Sequence, residues 1–304
     1  MQNSLTGNSA GPAYKPAANN VRAFEIAVLL LPLLVLCSRD SVLYSPPLHT
    51  DPWFYLGYFR NLVDFQRDLA PGFHAGTRYS WILPGYLLHR IFPPVAANLI
   101  LHLTVHSIAT LSLFSILRAV CGARAAFLTA ALFSFHPWLW AATGWDYVDG
   151  PGIAYCLLAL ALLTRAQSLP TPATFLYAGA ALAAMLYTNL SWILVVPLLL
   201  AYHLATIWTR RSSATVSAAA ASFAWITAGF CAITFVFCSV NYWLDGAFWF
   251  LGSEIATARN YGGNWRWPAS IWENGRIGPW LWFSILASCS ALALLPQRLR
   301  PFVI

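Results

Sequence analysis

Charged residues are scarce in this chain. Only 9% of its 304 residues are Asp, Glu, Lys or Arg, whereas 59% are hydrophobic. About a quarter of the residues of an average soluble domain are charged, so folding in water would leave too much apolar surface exposed. The low charge therefore excludes an ordinary soluble protein and predicts that lipid surrounds most of the chain.

Lysine is nearly absent, and paired cysteines are absent altogether. Lys15 is the single lysine, and no basic run with interleaved aromatic residues forms a nucleic-acid face, although the formal net charge is +7. The six cysteines stand singly, mostly inside apolar runs and without a CxxC spacing. This pattern is typical of cysteines that act as small apolar residues, and it excludes a disulfide framework.

Long apolar runs dominate the chain instead. Each run is close to the ~20 residues that are needed to cross the core of a bilayer, and short breaks containing Arg, Pro or Gly separate them. They predict an all-α integral membrane protein with about eight transmembrane helices. The runs lie at residues 24–43, 95–117, 123–141, 151–167, 172–188, 190–208, 215–240 and 279–296.

Basic and acidic residues fall on opposite sets of connections. The connections that carry arginine or lysine are short, so the positive-inside rule places them and both termini in the cytoplasm. Every acid except Glu25 then lies on the external side: Asp40, Asp51, Asp64, Asp68, Asp146, Asp149, Asp245, Glu254 and Glu273. This pattern predicts a multipass protein of the plasma (inner) membrane, with residues 1–22 as a cytoplasmic tail and 23–304 as one membrane module.

Two predicted external segments, 44–94 and 243–278, are too long to be simple turns. In the first segment, residues 53–69 carry a charged stripe on an otherwise apolar helix, the pattern of a helix that lies in the membrane interface. The stretch "YSWILPGYLLHRIF", residues 79–92, predicts a second interfacial or re-entrant segment that is broken at Pro84-Gly85. The charged stripe consists of Arg60, Asp64, Arg67 and Asp68.

Asp51 precedes Pro52 at the predicted start of the first interfacial helix. Asp is a favoured N-cap residue, and Pro is tolerated at the first helical position because its missing N–H would have no partner there. Capping alone explains this pair of residues. A second interpretation, in which Asp51 is a reactive carboxylate, comes from a family resemblance.

Three stretches carry this resemblance: "HTDPWFYLGYFRNL" (49–62), "RYSWILPGYLLHRIF" (78–92) and "GWDYVDGPGIAY" (144–155). Together with the first span and the long external loop, they resemble the GT-C glycosyltransferases, most closely the protein O-mannosyltransferase and aminoarabinose-transferase group. In that group the first external loop usually carries Asp-Glu, whose Asp is the catalytic carboxylate, and a second acidic motif often follows in the next external loop. Asp51 matches the first position, although Pro52 replaces the Glu, and Asp146 or Asp149 matches the second.

The resemblance implies a membrane glycosyltransferase that moves a sugar from a polyprenyl-phosphate donor to an acceptor on the external face. Asp51 would be the base that takes the proton of the acceptor. Arginines would bind the phosphate oxygens, and no cofactor is required, although a divalent cation between Asp51 and Asp146 would suit these carboxylates. The expected substrate-binding residues are His49, Tyr55, Arg78, Tyr86, Arg259, Arg266 and Arg276.

Several of these residues also have simpler explanations. Asp146 and Asp149 precede Gly and Pro in a turn that caps the next span, and the aromatic stretch 260–276 fits an interfacial belt with snorkelling arginines. His102 and His106, at i and i+4 in an apolar span, are expected to hydrogen-bond between helices rather than to bind a metal ion. The rival functional classes are a non-catalytic or truncated GT-C-like scaffold and a transporter.

Overall fold

The computed structural model describes residues 18–36, 50–69, 72–144, 147–208 and 215–262, which are almost entirely helical and contain no β-strand. The prediction of an all-α protein is confirmed for this part of the chain. Its helices are α1 (Ala18–Leu36), α2 (Thr50–Asp64), α3 (Tyr79–Ile91), α4 (Pro94–Cys121), α5 (Ala123–Ser134), α6 (Pro137–Gly144), α7 (Asp149–Arg165), α8 (Pro172–Leu186), α9 (Val196–Trp208), α10 (Thr215–Asp245) and α11 (Gly252–Gly262).

Three helical segments are long and apolar enough to cross a membrane: α4, most of α10, and the segment Leu190–Trp208, in which a 3₁₀ turn precedes α9. Helices α5 and α6 make a fourth span if this pair, bent by 61°, counts as one. The described residues are therefore consistent with a membrane protein and show three or four candidate spans; the eight of the prediction are not shown. Helices α7 and α8 are shorter, with 17 and 15 residues, and the predicted span 279–296 lies outside the described residues.

Helices α8 and α10 pack closely because a glycine from each lies at their contact. A Cβ atom on Gly179 would collide with the backbone carbonyl of Ile226, and a Cβ atom on Gly229 would collide with that of Leu176. Small residues allow the backbones of two membrane helices to approach each other in this way.

Gly229→Ala tests this contact, because its effect should be opposite to that of an ordinary helical Gly→Ala change. Alanine normally stabilises a helix by about 0.8–1.0 kcal/mol relative to glycine. We expect Gly229→Ala instead to destabilise the protein by about 1–3 kcal/mol, as overpacking does, measured by thermal unfolding in detergent. Gly252→Ala is the control, since a Cβ atom there meets no atom within 4 Å. A stable Gly229→Ala variant would contradict the packing.

The two predicted interfacial helices exist as α2 and α3, but both bury aromatic faces within the protein. Tyr58 and Phe59 of α2 and Tyr79 of α3 have no exposed surface. The charged stripe remains exposed, as predicted. The helix that carries it is not regular, because α2 is kinked at Asn61 and continues into a π-helical turn, Phe65–Leu69.

The predicted break at Pro84-Gly85 is wrong, since α3 runs through both residues. A proline inside a helix leaves the carbonyl four residues earlier without its usual donor, here the carbonyl of Ser80. The hydroxyl of Tyr155 on α7 donates to that carbonyl over 3.1 Å and so replaces the missing bond. Gly85 allows the ring of Phe59 to lie directly against the backbone of α3, where a Cβ atom would collide with it.

Side chains from the first of the two predicted external loops bind the end of α10. Arg67 donates to the carbonyls of Leu244 and Trp243 at 2.8 and 3.0 Å, and the hydroxyl of Tyr79 donates to Asn241 at 2.6 Å. These bonds join the two segments that were predicted to be external. They place α11, which follows α10, beside the 3₁₀ turn His74–Thr77 of the first loop.

His106 confirms the prediction of an interhelical hydrogen-bonding histidine. Its Nε2 lies 2.9 Å from the hydroxyl of Ser134 on α5, and its Nδ1 lies 3.4 Å from the hydroxyl of Thr143 on α6. The imidazole also stacks on Trp140 with ring centroids 4.4 Å apart. His106 therefore ties α4 to the bent pair α5–α6.

Candidate functional site

Arg78 lies at the centre of the candidate site, between the 3₁₀ turn His74–Thr77 and α3. Its side chain is only 11% exposed. The guanidinium donates a hydrogen bond to the hydroxyl of Tyr55 on α2 and lies over the Tyr55 ring, 5.9 Å from its centroid. Its Nε lies 3.6 Å from Oε1 of Glu254 on α11. One arginine thus joins segments that are distant in sequence.

Glu254 is a buried carboxyl group, with 8% of the residue exposed. Its Oε2 accepts a hydrogen bond from the hydroxyl of Thr77 at 3.4 Å. Burial raises the pKa of Glu254 above its usual value, because the charged form loses its water, and the nearby Arg78 opposes this rise. Glu254 and Arg78 therefore form an ion pair in an environment with little water.

Tyr147 and Asp149 bring the connection between α6 and α7 to the same place. The ring of Tyr147 packs edge-on against the ring of Tyr55 with centroids 6.3 Å apart. Burial raises the pKa of both Tyr147 and Asp149, and the charge of Arg78 opposes the rise at each. Asp149, the described acid of the second acidic motif, therefore lies within the field of Arg78.

Asp51 is an exposed residue in the first turn of α2, which begins at Thr50. Asp51 is therefore the second helical residue and not the N-cap that was predicted, and a carboxylate there still interacts favourably with the helix dipole. Burial and Arg78 lower the pKa of His74, and the negative charge of Asp51 opposes this shift. At neutral pH a neutral imidazole therefore lies in the field of both Asp51 and Arg78.

Four of the predicted site residues converge here: Asp51, Tyr55, Arg78 and Asp149. Tyr86 does not, because it lies eight residues further along α3, roughly 12 Å at 1.5 Å per residue, where its hydroxyl accepts a hydrogen bond from Arg90. Arg259 is exposed in the last turn of α11. The predicted residues outside the described part of the chain are His49, Asp146, Arg266 and Arg276.

Two members of the cluster, Glu254 and Tyr147, were not predicted as site residues. Thr77 and Glu254, which share a hydrogen bond, are 177 positions apart, and no local spacing relates an acid to a partner at that separation. The only sequence signal for Glu254 is that it is an acid in the second long external segment. Tyr147 stands between the two acids of "GWDYVDGPG", within a motif already singled out.

The raised pKa of Glu254 predicts a pH-dependent stability. The folded state binds the proton of this carboxyl group more tightly than the unfolded chain does. Its stabilising contribution is therefore complete below the pKa of an unfolded glutamate and is lost as pH rises through the raised pKa. As pH rises through that range, we expect the Glu254→Gln variant to lose less stability than the parent does, as measured by thermal unfolding. Asp64→Asn, which changes an exposed acid, should follow the parent, and parallel curves for Glu254→Gln and the parent would contradict the assignment.

A metal-binding role has no support from the described side chains. Within the part of the chain that the structure describes, no three His, Cys, Asp or Glu residues are arranged to hold a metal ion. The divalent cation expected between Asp51 and Asp146 stays a prediction, since Asp146 lies outside the described residues.

The arrangement around Arg78 is suited to proton transfer near an anion. An exposed carboxylate, a neutral imidazole, the buried Tyr55 and the half-buried Tyr147 lie around a single guanidinium. Groups of this kind, with pKa values shifted by burial and by a specific charged partner, are typical of functional sites. No protein-family model matches the chain, and no curated protein matches its sequence.

Proposed function

We propose that the chain is a membrane glycosyltransferase of the GT-C type, which moves a sugar from a polyprenyl-phosphate donor to an acceptor on the extracytoplasmic face. The observation that carries this proposal is that an acid from each acidic motif lies near the hydrogen-bonded pair Arg78 and Tyr55. Asp149 lies in the field of Arg78 directly, and Asp51 acts on Tyr55, the hydrogen-bond partner of Arg78. A transferase of this kind needs a proton acceptor and a cation close together.

In the proposed reaction, the carboxylate of Asp51 takes the proton of the acceptor hydroxyl. The acceptor oxygen then forms a bond to the anomeric carbon of the sugar. The bond between that carbon and the donor phosphate breaks, and its electron pair leaves with the polyprenyl phosphate. Arg78 donates hydrogen bonds to the phosphate oxygens, an interaction that is strongest in a site with little water.

The charges of the site indicate what else the donor phosphate requires. Arg78 already donates to Tyr55 and pairs with Glu254. Asp149 also lies in its field, and Asp51 adds a further negative charge beside Tyr55. An anionic phosphate therefore needs further positive charge at this site. We propose that the second external segment supplies it through the exposed Arg259, together with Arg266 and Arg276.

The direction of the helices supports a site at one membrane face. Helix α7 begins at Asp149, in the field of Arg78, and ends at Arg165, so its acidic and basic ends lie on opposite sides of the bundle. We propose that the acidic end is external, that both termini are cytoplasmic, and that the chain has about eight spans in the plasma (inner) membrane.

The two rival classes have weaker support. A transporter is expected to carry ionisable residues that face a pathway within its spans. The candidate spans α4 and Leu190–Trp208 contain no Asp or Glu, and the buried His106 of α4 is engaged by Ser134 and Thr143 of neighbouring helices. A scaffold does not require buried groups with shifted pKa values around an arginine. It would tolerate substitution of Asp51, and this separates it from the enzyme.

Labelling of single cysteines tests both the side of the site and its ligand. In a variant without native cysteines, Trp53→Cys, beside Asp51, should react with a membrane-impermeant maleimide added outside cells. A polyprenyl-phosphate sugar should slow that reaction, because it occupies the space next to Asp51. The control Leu169→Cys, at an exposed position beyond the basic end of α7, should react only from the cytoplasmic side. Reaction of Trp53→Cys only from the cytoplasmic side would overturn the proposal.

A further inference from the structure

A cavity of about 690 Å³ lies between α4 and α7, at the end of α7 opposite to the Arg78 cluster. Its volume is within the range of roughly 300–1,000 Å³ that is typical of small-molecule sites. Its apolar wall includes Ile108 of α4 and Leu158 and Leu162 of α7. The basic end of the cavity is lined by Arg118, Arg165 and Ser168.

The two arginines in this cavity differ in their partners. Arg118 donates to Oε1 of Glu25 on α1 over 2.7 Å, and this ion pair neutralises its charge. Arg165 forms no ion pair with any acid in the described ranges, and it is exposed. The cavity thus combines an apolar wall with about one positive charge that no described acid compensates at its end.

This combination is complementary to a lipid with a single negative charge. The apolar wall suits an acyl chain, and the guanidinium of Arg165 suits a phosphodiester, to which arginine donates two parallel hydrogen bonds. Basic pockets between membrane helices on the cytoplasmic side are typical sites for anionic lipid headgroups. The positive-inside pattern predicts that this end of α7 faces the cytoplasm.

We propose that the cavity between α4 and α7 binds an anionic phospholipid of the cytoplasmic leaflet, with its phosphate on Arg165 and an acyl chain along α7. The polyprenyl-phosphate donor has the same chemistry of phosphate and apolar tail. It is not the proposed occupant, because the cavity and the Arg78 cluster lie at opposite ends of α7. This site is independent of the proposed transferase activity.

Lipid titration of the purified full chain in detergent tests the proposal. Phosphatidylglycerol should raise the thermal unfolding temperature more than phosphatidylcholine with the same acyl chains. In Arg165→Gln the apparent affinity for phosphatidylglycerol should fall at least about tenfold, as expected for loss of a charge-assisted bond. Arg124→Gln is the matched control, since Arg124 is an exposed arginine of α5 outside the cavity, and its affinity should not change.

A second variant tests the apolar part of the site. Ala161→Trp places a large side chain among the residues that line the cavity and should weaken phosphatidylglycerol binding while both arginines remain. Equal responses to the two lipids, or unchanged binding in Arg165→Gln, would overturn the proposal. Equal stabilisation by inorganic phosphate would show that no acyl chain is bound. Displacement of phosphatidylglycerol by polyprenyl phosphate at a lower concentration would assign the cavity to the isoprenoid carrier instead.

Discussion

Asp51→Asn should lower the turnover of sugar transfer by about 10²–10⁴-fold, the usual contribution of a general base. Asparagine has nearly the shape of aspartate, but it cannot take the proton of the acceptor. Thermal stability in detergent should change by no more than about 1 kcal/mol, the size of a carboxylate interaction with the helix dipole. Turnover and unfolding temperature are measured on the same purified samples.

Asp64→Asn is the matched control for this experiment. Asp64 is an exposed acid of the same helix, at its opposite end, so its loss should leave turnover close to that of the parent. If Asp51 only stabilises the start of α2, both variants will be fully active. Full activity of Asp51→Asn would remove the catalytic assignment.

Arg78→Gln should affect donor binding and stability together. Loss of a charge-assisted contact to phosphate costs about 1.5–3 kcal/mol, so we expect the KM for the donor to rise by roughly 10–100-fold. The same change leaves the buried Glu254 without its cation, and breaking a buried ion pair in this way is strongly destabilising. Donor titrations and thermal unfolding measure the two effects separately.

The double variant Arg78→Gln/Glu254→Gln separates these two effects. It removes the unpaired buried acid and should recover much of the lost stability, but it should not recover donor use. Arg60→Gln, at an exposed position of α2, is the control for loss of a positive charge. Recovery of donor use in the double variant would show that Arg78 acts only by holding Glu254 in place.

The sequence predicted the helical class well because helix signals are local. Apolar runs of a fixed length, the pair Asp51-Pro52 and the charged residues between spans all act within a few positions of themselves. The predicted break of the helix at Pro84 was wrong because the compensating contact comes from a residue that is distant in sequence. The proline removes one backbone hydrogen bond of α3, and the hydroxyl of Tyr155 on another helix replaces it.

The site was only partly predictable for a similar reason. Asp51, Arg78 and Asp149 lie in recognisable motifs, and the fold brings them together. The partner of Arg78 comes from α11, near the far end of the described chain, and nothing near Glu254 in sequence indicates that it is buried. Tyr86 shares a motif with Arg78 but lies too far along α3 to join the cluster. Motifs therefore identified some of the site residues, whereas tertiary packing determined which of them meet.

The most direct measurement is a transfer assay with the purified full chain in liposomes and a panel of polyprenyl-phosphate sugars. The acceptor fraction consists of extracts of the cell envelope, and mass spectrometry quantifies both the transferred sugar and the released polyprenyl phosphate. The account predicts that at least one donor yields equal amounts of the two products, and that Asp51→Asn yields almost none. Intact donors throughout the panel, or equal product from the parent and Asp51→Asn, would contradict it.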